Sequence, residues 1–169
     1  GRYGVGGRVV AAATFTGCRV EWNVSAGMRL GEEYMDSVQI AGGLFDANYG
    51  PAIEARGGSL FTLAITGNVF RRNGQSEEPI GDRSCHVYLD GVRGVAMTGN
   101  TFLSTRMSKQ RTRPVPEYGL TIRGLADSSI TGNALYHAAV TEILRDHGGH
   151  STLYLEGNPG SVQRGEVEM

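Results

Sequence analysis

Ile65-Thr66-Gly67-Asn68-Val69-Phe70 returns as Met97-Thr98-Gly99-Asn100-Thr101-Phe102, as Ile130-Thr131-Gly132-Asn133-Ala134-Leu135 and, shortened, as Leu155-Glu156-Gly157-Asn158. Two weaker copies come first, Phe15-Thr16-Gly17-Cys18-Arg19-Val20 and Ile40-Ala41-Gly42-Gly43-Leu44-Phe45. The glycines at 17, 42, 67, 99, 132 and 157 are 25, 25, 32, 33 and 25 residues apart. A period of this size marks a stack of small units, none able to bury its apolar face alone.

Each unit holds two short runs in which apolar residues alternate, the pattern of a strand with one buried face. The second run ends at the Gly-Asn pair. The first lies upstream, as Tyr3-x-Val5, Met28-x-Leu30, Ile53-x-Ala55, Val87-x-Leu89 and Leu120-x-Ile122. A third apolar position follows the pair at Val20, Phe45, Phe70, Phe102 and Leu135. Three strands per turn, each pairing with its copies above and below, predict an all-β chain folded as a single-stranded parallel β-helix of about six coils. Parallel crossovers of L-residues favour the right hand. Leucine-rich and ankyrin repeats have similar periods, but the helical half of their unit is absent here. Asparagine tolerates a corner and can bond to its own copy about 4.8 Å away, so Asn68, Asn100, Asn133 and Asn158 are expected to form a ladder. Cys18 and Gly43 hold that corner in the earlier turns, so the ladder should begin at Asn68.

With these residues the chain resembles the right-handed parallel β-helix proteins of the pectate-lyase-like superfamily, over residues 3 to about 160. That superfamily includes polysaccharide lyases, glycoside hydrolases, alginate epimerases and phage tailspikes. The resemblance implies a polysaccharide lying along an outward strand face, with flanking loops as cleft walls. It is specific for fold, because one scaffold carries many activities. The calcium-binding acids of a pectate lyase are missing, and Arg111-Thr112-Arg113-Pro114-Val115-Pro116 lacks the spacing of the lyase Arg-x-Pro-x-x-Arg segment. Calcium-dependent pectate cleavage is therefore not expected, and no cofactor or metal is called for.

Composition agrees with one domain over residues 1–169, since 40% hydrophobic residues suffice for a sizeable core. A net charge of −1 supplies no field for nucleic acid or a membrane surface. No apolar run of about 18 residues is present, and no signal core opens the chain, so a mature or excised form is expected. Twenty-six glycines suit a chain that turns sharply and often. The two cysteines cannot make a disulfide framework, and Cys18 and Cys85 are expected as free thiols.

Two insertions interrupt the repeat at the same corner of neighbouring turns. Phe70 to Val87 and Phe102 to Leu120 take 17 and 18 residues where Val20 to Met28 takes 8. Insertions of this kind gather on one face of a solenoid, often its binding face, and tolerated loop variation is the plainer account. The first, 71–84, mixes Arg71, Arg72 and Arg83 with Glu77, Glu78 and Asp82. The second, 103–118, gathers Arg106, Lys109, Arg111 and Arg113 against Glu117, with Pro114, Pro116 and Tyr118 in its return.

Alternation within the first strand places Glu54, Tyr88 and Thr121 in one column turned away from the core and toward solvent, with Arg56, Asp90 and Arg123 in the next. Two accounts fit. A charge ladder across strands contributes roughly 0.2–1 kcal/mol per favourable pair. Alternatively Glu54 and Asp90 serve as catalytic acid and base, with Arg56, Tyr88, Arg123, Arg111, Arg113 and Tyr118 holding substrate. The offset puts the two carboxylates on the order of 8 Å apart, inside the range of about 6.5–9.5 Å used by inverting hydrolases.

His147-Gly148-Gly149-His150 lies in the last connection without an evident third ligand, and His86 and His137 are isolated, so all four are read as surface or turn residues. Neither end of the chain looks capped. We therefore expect a portion of a longer stack, with missing N-terminal coils or another copy of the chain covering the open end. Two functions follow: a secreted or cell-surface protein that binds or cleaves a polysaccharide, anionic in character, or a non-catalytic structural or adhesive β-helix such as a phage tail fibre or surface protein segment.

Overall fold

The computed structural model describes residues 4–6, 10–32, 34–58, 60–75, 80–104, 116–135 and 138–160. Tyr3, Glu77, Glu78, Arg106, Lys109, Arg111, Arg113, Pro114, His137 and the tail 161–169 lie outside them. Among the described residues there is no α-helix, and every strand belongs to one of three parallel sheets.

The first sheet joins β1 (Val5–Gly6), β4 (Met28–Leu30), β7 (Ile53–Arg56), β10 (Cys85–Asp90), β13 (Tyr118–Arg123) and β15 (Glu142–Asp146), in that order. The second joins β2 (Val10–Thr16), β5 (Met35–Ala41), β8 (Leu60–Thr66), β11 (Val95–Thr98), β14 (Ser128–Thr131) and β16 (Leu153–Glu156). The third joins β3 (Arg19–Glu21), β6 (Leu44–Asp46), β9 (Val69–Arg71) and β12 (Thr101–Leu103). Each circuit of the chain thus adds one strand to each sheet in turn, and both long insertions are absorbed between the third sheet and the first.

Register follows the repeat. Phe15, Ile40, Ile65, Met97, Ile130 and Leu155 are successive partners in the second sheet. Val20, Phe45, Phe70 and Phe102 are partners in the third. Strand spacing of about 4.8 Å then forces like upon like. The Phe45 and Phe70 rings lie 5.2 Å apart and those of Phe70 and Phe102 4.9 Å apart, in one core with Ile53, Val87 and Leu120.

The first sheet departs from expectation twice. Val5 pairs with Met28 where the repeat aligned it with Leu30. Only residues 7–9 separate β1 from β2, so the circuit is shorter there and the register slips by two residues. A sixth strand, β15, pairs Leu144 with Leu120 and Asp146 with Ile122. Asp146 stands where alternation asks for an apolar residue, which hid this strand in the sequence.

The expected ladder is present. Asn68 Nδ2 donates to Asn100 Oδ1 at 3.0 Å, Asn100 to Asn133 at 2.8 Å, and Asn133 to Asn158 at 2.9 Å. Each oxygen also accepts the main-chain N–H one circuit earlier, beginning with Gly43 onto Asn68 at 2.8 Å. Gly67, preceding Asn68, has φ +64°, a corner conformation that excludes most side chains.

A second column was not anticipated. Asn23 donates to Asn48 and Asn48 to Asn73, each at 2.7 Å, all buried. It ends where Asn73 Nδ2 meets His86 Nδ1 at 3.2 Å. Burial pushes the His86 imidazole down to about 3, so it is neutral and Nδ1 is free to accept. His86 is therefore a fully buried structural residue, not the surface or turn residue its isolation suggested.

Candidate functional site

Parity within β7, β10 and β13 sets two columns on the face of the first sheet turned away from the core. Glu54, Tyr88 and Thr121 are cross-strand partners, and Arg56, Asp90 and Arg123 form the next set. Arg29 and Arg145 extend the first column at either end.

The first column is not open to solvent. Glu54 is 0% exposed, Thr121 1% and Tyr88 7%. The reason is the 3-10 turn Gly81–Arg83, which lies over the sheet. Arg83 Nη2 reaches Glu54 Oε2 at 2.8 Å, and the Thr121 hydroxyl donates to the Asp82 carbonyl at 3.0 Å. Ser84 completes the anchorage, its hydroxyl donating to the Gly74 carbonyl at 2.9 Å and its own carbonyl accepting the Tyr118 N–H at 2.9 Å.

Glu54 is consequently an enclosed ion-pair partner. Arg56 Nε donates to Oε1 at 2.9 Å while Arg83 holds the other oxygen. A carboxylate shut from water and held by two guanidiniums has no oxygen presented to a substrate proton, so the solvent-facing acid expected at this position is corrected.

Asp90 stands differently. It is half-buried, its Oδ2 accepts the Tyr88 hydroxyl at 3.2 Å, and among the described residues it makes no ion pair within 4.0 Å. Burial, and then the neighbouring Asp90 charge, push the Tyr88 hydroxyl above its ordinary value, so it stays a donor. The Arg56 guanidinium lies 5.2 Å from the Tyr88 ring centre, a cation–π contact. The Arg56 and Arg123 side chains are 44% and 49% exposed. A carboxylate with spare acceptor capacity thus lies between two reachable arginines.

Toward β15 the face carries residues that alternation did not single out. Asp82 Oδ2 is 3.0 Å from His147 Nε2 and 3.9 Å from Arg123 Nη2, and its Oδ1 is 3.9 Å from Arg145 Nε. Arg145 lies over the Tyr118 ring at 5.4 Å and bonds Glu142 at 3.1 Å. The Tyr118 ring therefore steadies an arginine on this face. The charges of Asp82 and Arg83 were visible in the insertion, but no spacing told where its C-terminal end would land. Arg145 belongs to the strand that the pattern hid.

The two closely spaced histidines serve separate acids. His150 Nε2 lies 2.7 Å from Asp146 Oδ1, and its Nδ1 accepts the Leu125 N–H at 3.0 Å. Burial favours the neutral Asp146 carboxyl, but hydrogen bonds from His150 and the Gly148 N–H outweigh it and hold the group below its ordinary value. Among the described residues no group of three or more His, Cys, Asp or Glu is placed to hold a metal ion. Arg111 and Arg113 fall outside the described residues. No family model, curated protein or solved structure matches the chain at a significant level.

Proposed function

We propose that the chain is a right-handed parallel β-helix of the pectate-lyase-like kind, which binds an acidic polysaccharide across the outward face of its first sheet. The stacked three-sheet circuit and the asparagine ladder support the β-helix reading. The observation carrying the binding reading is Asp90, a half-buried carboxylate without an ion-pair partner among the described residues, set between the exposed Arg56 and Arg123. Arginine guanidiniums suit the planar carboxylate of a uronate, and the free Asp90 oxygen suits sugar hydroxyls. A glycan ligand of this kind is met outside the cell or at its surface.

The reading is of a binding face. Inverting hydrolysis needs two accessible carboxylates, and Glu54 is enclosed. The same enclosure favours a second reading, a non-catalytic structural or adhesive β-helix, in which the Glu54 and Asp82 contacts only brace the surface. Calorimetric titration with polygalacturonate, alginate and a neutral glucan separates the two. Binding of the acidic polymers alone, weakened at least about tenfold in Arg56→Gln/Arg123→Gln, is expected for the first. Equal indifference to all three polymers supports the second. Release of reducing ends or unsaturated uronate in the same samples would add catalysis to binding.

A further inference from the structure

Asp82 is itself a carboxylate seated among cations on the face assigned to an acidic ligand. We propose that Arg123, Arg145 and His147 form a uronate-carboxylate seat that the chain fills with its own Asp82, so that a saccharide enters by exchanging carboxylates with it. The inference rests on the acidic-glycan reading above and adds a specific subsite and a built-in competitor.

The donors converge from two neighbouring strands, Arg123 ending β13, Arg145 within β15 and His147 directly after it. Only His147 Nε2, at 3.0 Å, is within hydrogen-bonding reach of Asp82. The Arg123 and Arg145 contacts are 3.9 Å long, and Arg145 Nε is buried with no hydrogen-bond partner among the described residues. A charge-assisted bond normally closes to about 2.7–2.9 Å. Asp82 cannot close that gap because its backbone is fixed: its carbonyl accepts the Thr121 hydroxyl, and the next residue, Arg83, is tied to Glu54. A free carboxylate has no such tether and can satisfy the unused Arg145 donor.

The seat is also preorganised. Arg145 is steadied by the Tyr118 ring and by Glu142, so little side-chain freedom remains to be lost on binding. At the three cations one carboxylate takes the place of another, and the partly exposed Asp82 side chain can rotate outward while the Thr121 and Arg83 bonds keep the turn in place. Displacing an internal competitor therefore requires no opening of the sheet.

The test is titration of the full chain with trigalacturonate, and with a neutral trisaccharide as control. Asp82→Asn keeps the side-chain size and the backbone contacts but lowers competition, so it is expected to bind trigalacturonate about tenfold tighter than the native chain, the ordinary size of such a coupling. Asp82→Asn/Arg145→Gln is expected to lose that gain. Thermal unfolding of each variant shows that the fold is kept, and Arg145→Gln in the native background should weaken binding on its own. Native binding that is unchanged or weaker in a folded Asp82→Asn overturns the seat while leaving the glycan reading intact. Binding by Asp82→Asn where the native chain shows none supports the seat and marks the native face as self-blocked. No binding by any variant overturns both.

Discussion

Arg83 reaches back across 29 residues to Glu54, placing Nη2 at 2.8 Å from a carboxylate oxygen with no solvent exposure. The contact decides what the 71–84 insertion does, because it draws the Gly81–Arg83 turn over the column that would otherwise be open. Removing one member of a buried pair costs more than the pair contributes, since the remaining charge is left stranded. Arg83→Met should therefore destabilise the protein by about 2 kcal/mol, less than for a fully buried partner because Arg56 stays on Glu54. Glu54→Gln/Arg83→Met should recover part of that loss. Urea unfolding of the single and double variants measures the coupling, and strict additivity would show that the contact carries none.

Interior and terminal rungs of the asparagine ladder should differ. Asn100 accepts from the side chain and the N–H of Asn68, and donates to Asn133 and the Ile65 carbonyl. Asn100→Ala orphans buried groups on both sides and should cost about 3 kcal/mol. Asn158 is 7% exposed and at the end of the column, so water can replace part of what it supplies, and Asn158→Ala should cost about 1 kcal/mol. Equilibrium denaturation of the two variants in parallel tests the order. Equal costs would show that the ladder does not act through its enclosed interior.

Thiol chemistry separates the two free cysteines. Cys85 is fully buried at the start of β10, and burial pushes its thiol up to about 12, only partly opposed by Thr121. The thiolate is the reactive form, so Cys85 should resist an aromatic disulfide reagent at pH 8 until the chain unfolds. Cys18, half-buried at the ladder corner, is the one to react in the native state. Cys18→Ser should leave no native reactivity and one thiol after denaturation. Fast native labelling of that variant would show that β10 opens locally.

The spacing of the Gly-Asn pairs was readable because every rung serves the same purpose, and the registers of the second and third sheets follow from it. The column of Asn23, Asn48 and Asn73 has the same period of 25 but no Gly-Asn pair to mark it. Its preceding residues are Trp22, Ala47 and Arg72, at φ +56°, +56° and +53°, so no shared glycine announces the corner. Cross-strand neighbours such as Asp90 and Arg123 were legible from alternation alone. Exposure was not, because Glu54 is covered by a segment 29 residues away whose path is set by Arg83 and Thr121, contacts that local periodicity does not encode.

Asp46 gives the pH dependence its sign. Its carboxylate takes Arg71 Nη2 and Arg72 Nη2 on Oδ2, each at 2.5 Å, and Arg72 Nε on Oδ1 at 2.8 Å, with 3% of the side chain exposed. Burial alone would push the carboxyl up, but the Arg72 and Arg71 hydrogen bonds and charges outweigh it and hold the group below its ordinary value of 3.8. A group whose folded value is depressed binds its proton more readily in the unfolded chain. The stability it contributes is therefore complete above 3.8 and is lost as pH falls through the folded value. Unfolding free energy should decline with acid below about pH 4, and Asp46→Asn should be less stable at pH 7 with a flatter acid limb. Some slope should persist in that variant, because Asp146 is shifted in the same direction by His150 and Gly148. Denaturant titrations at several pH values read both slopes, and an unchanged acid limb in Asp46→Asn would show that the two arginines do not favour the charged form.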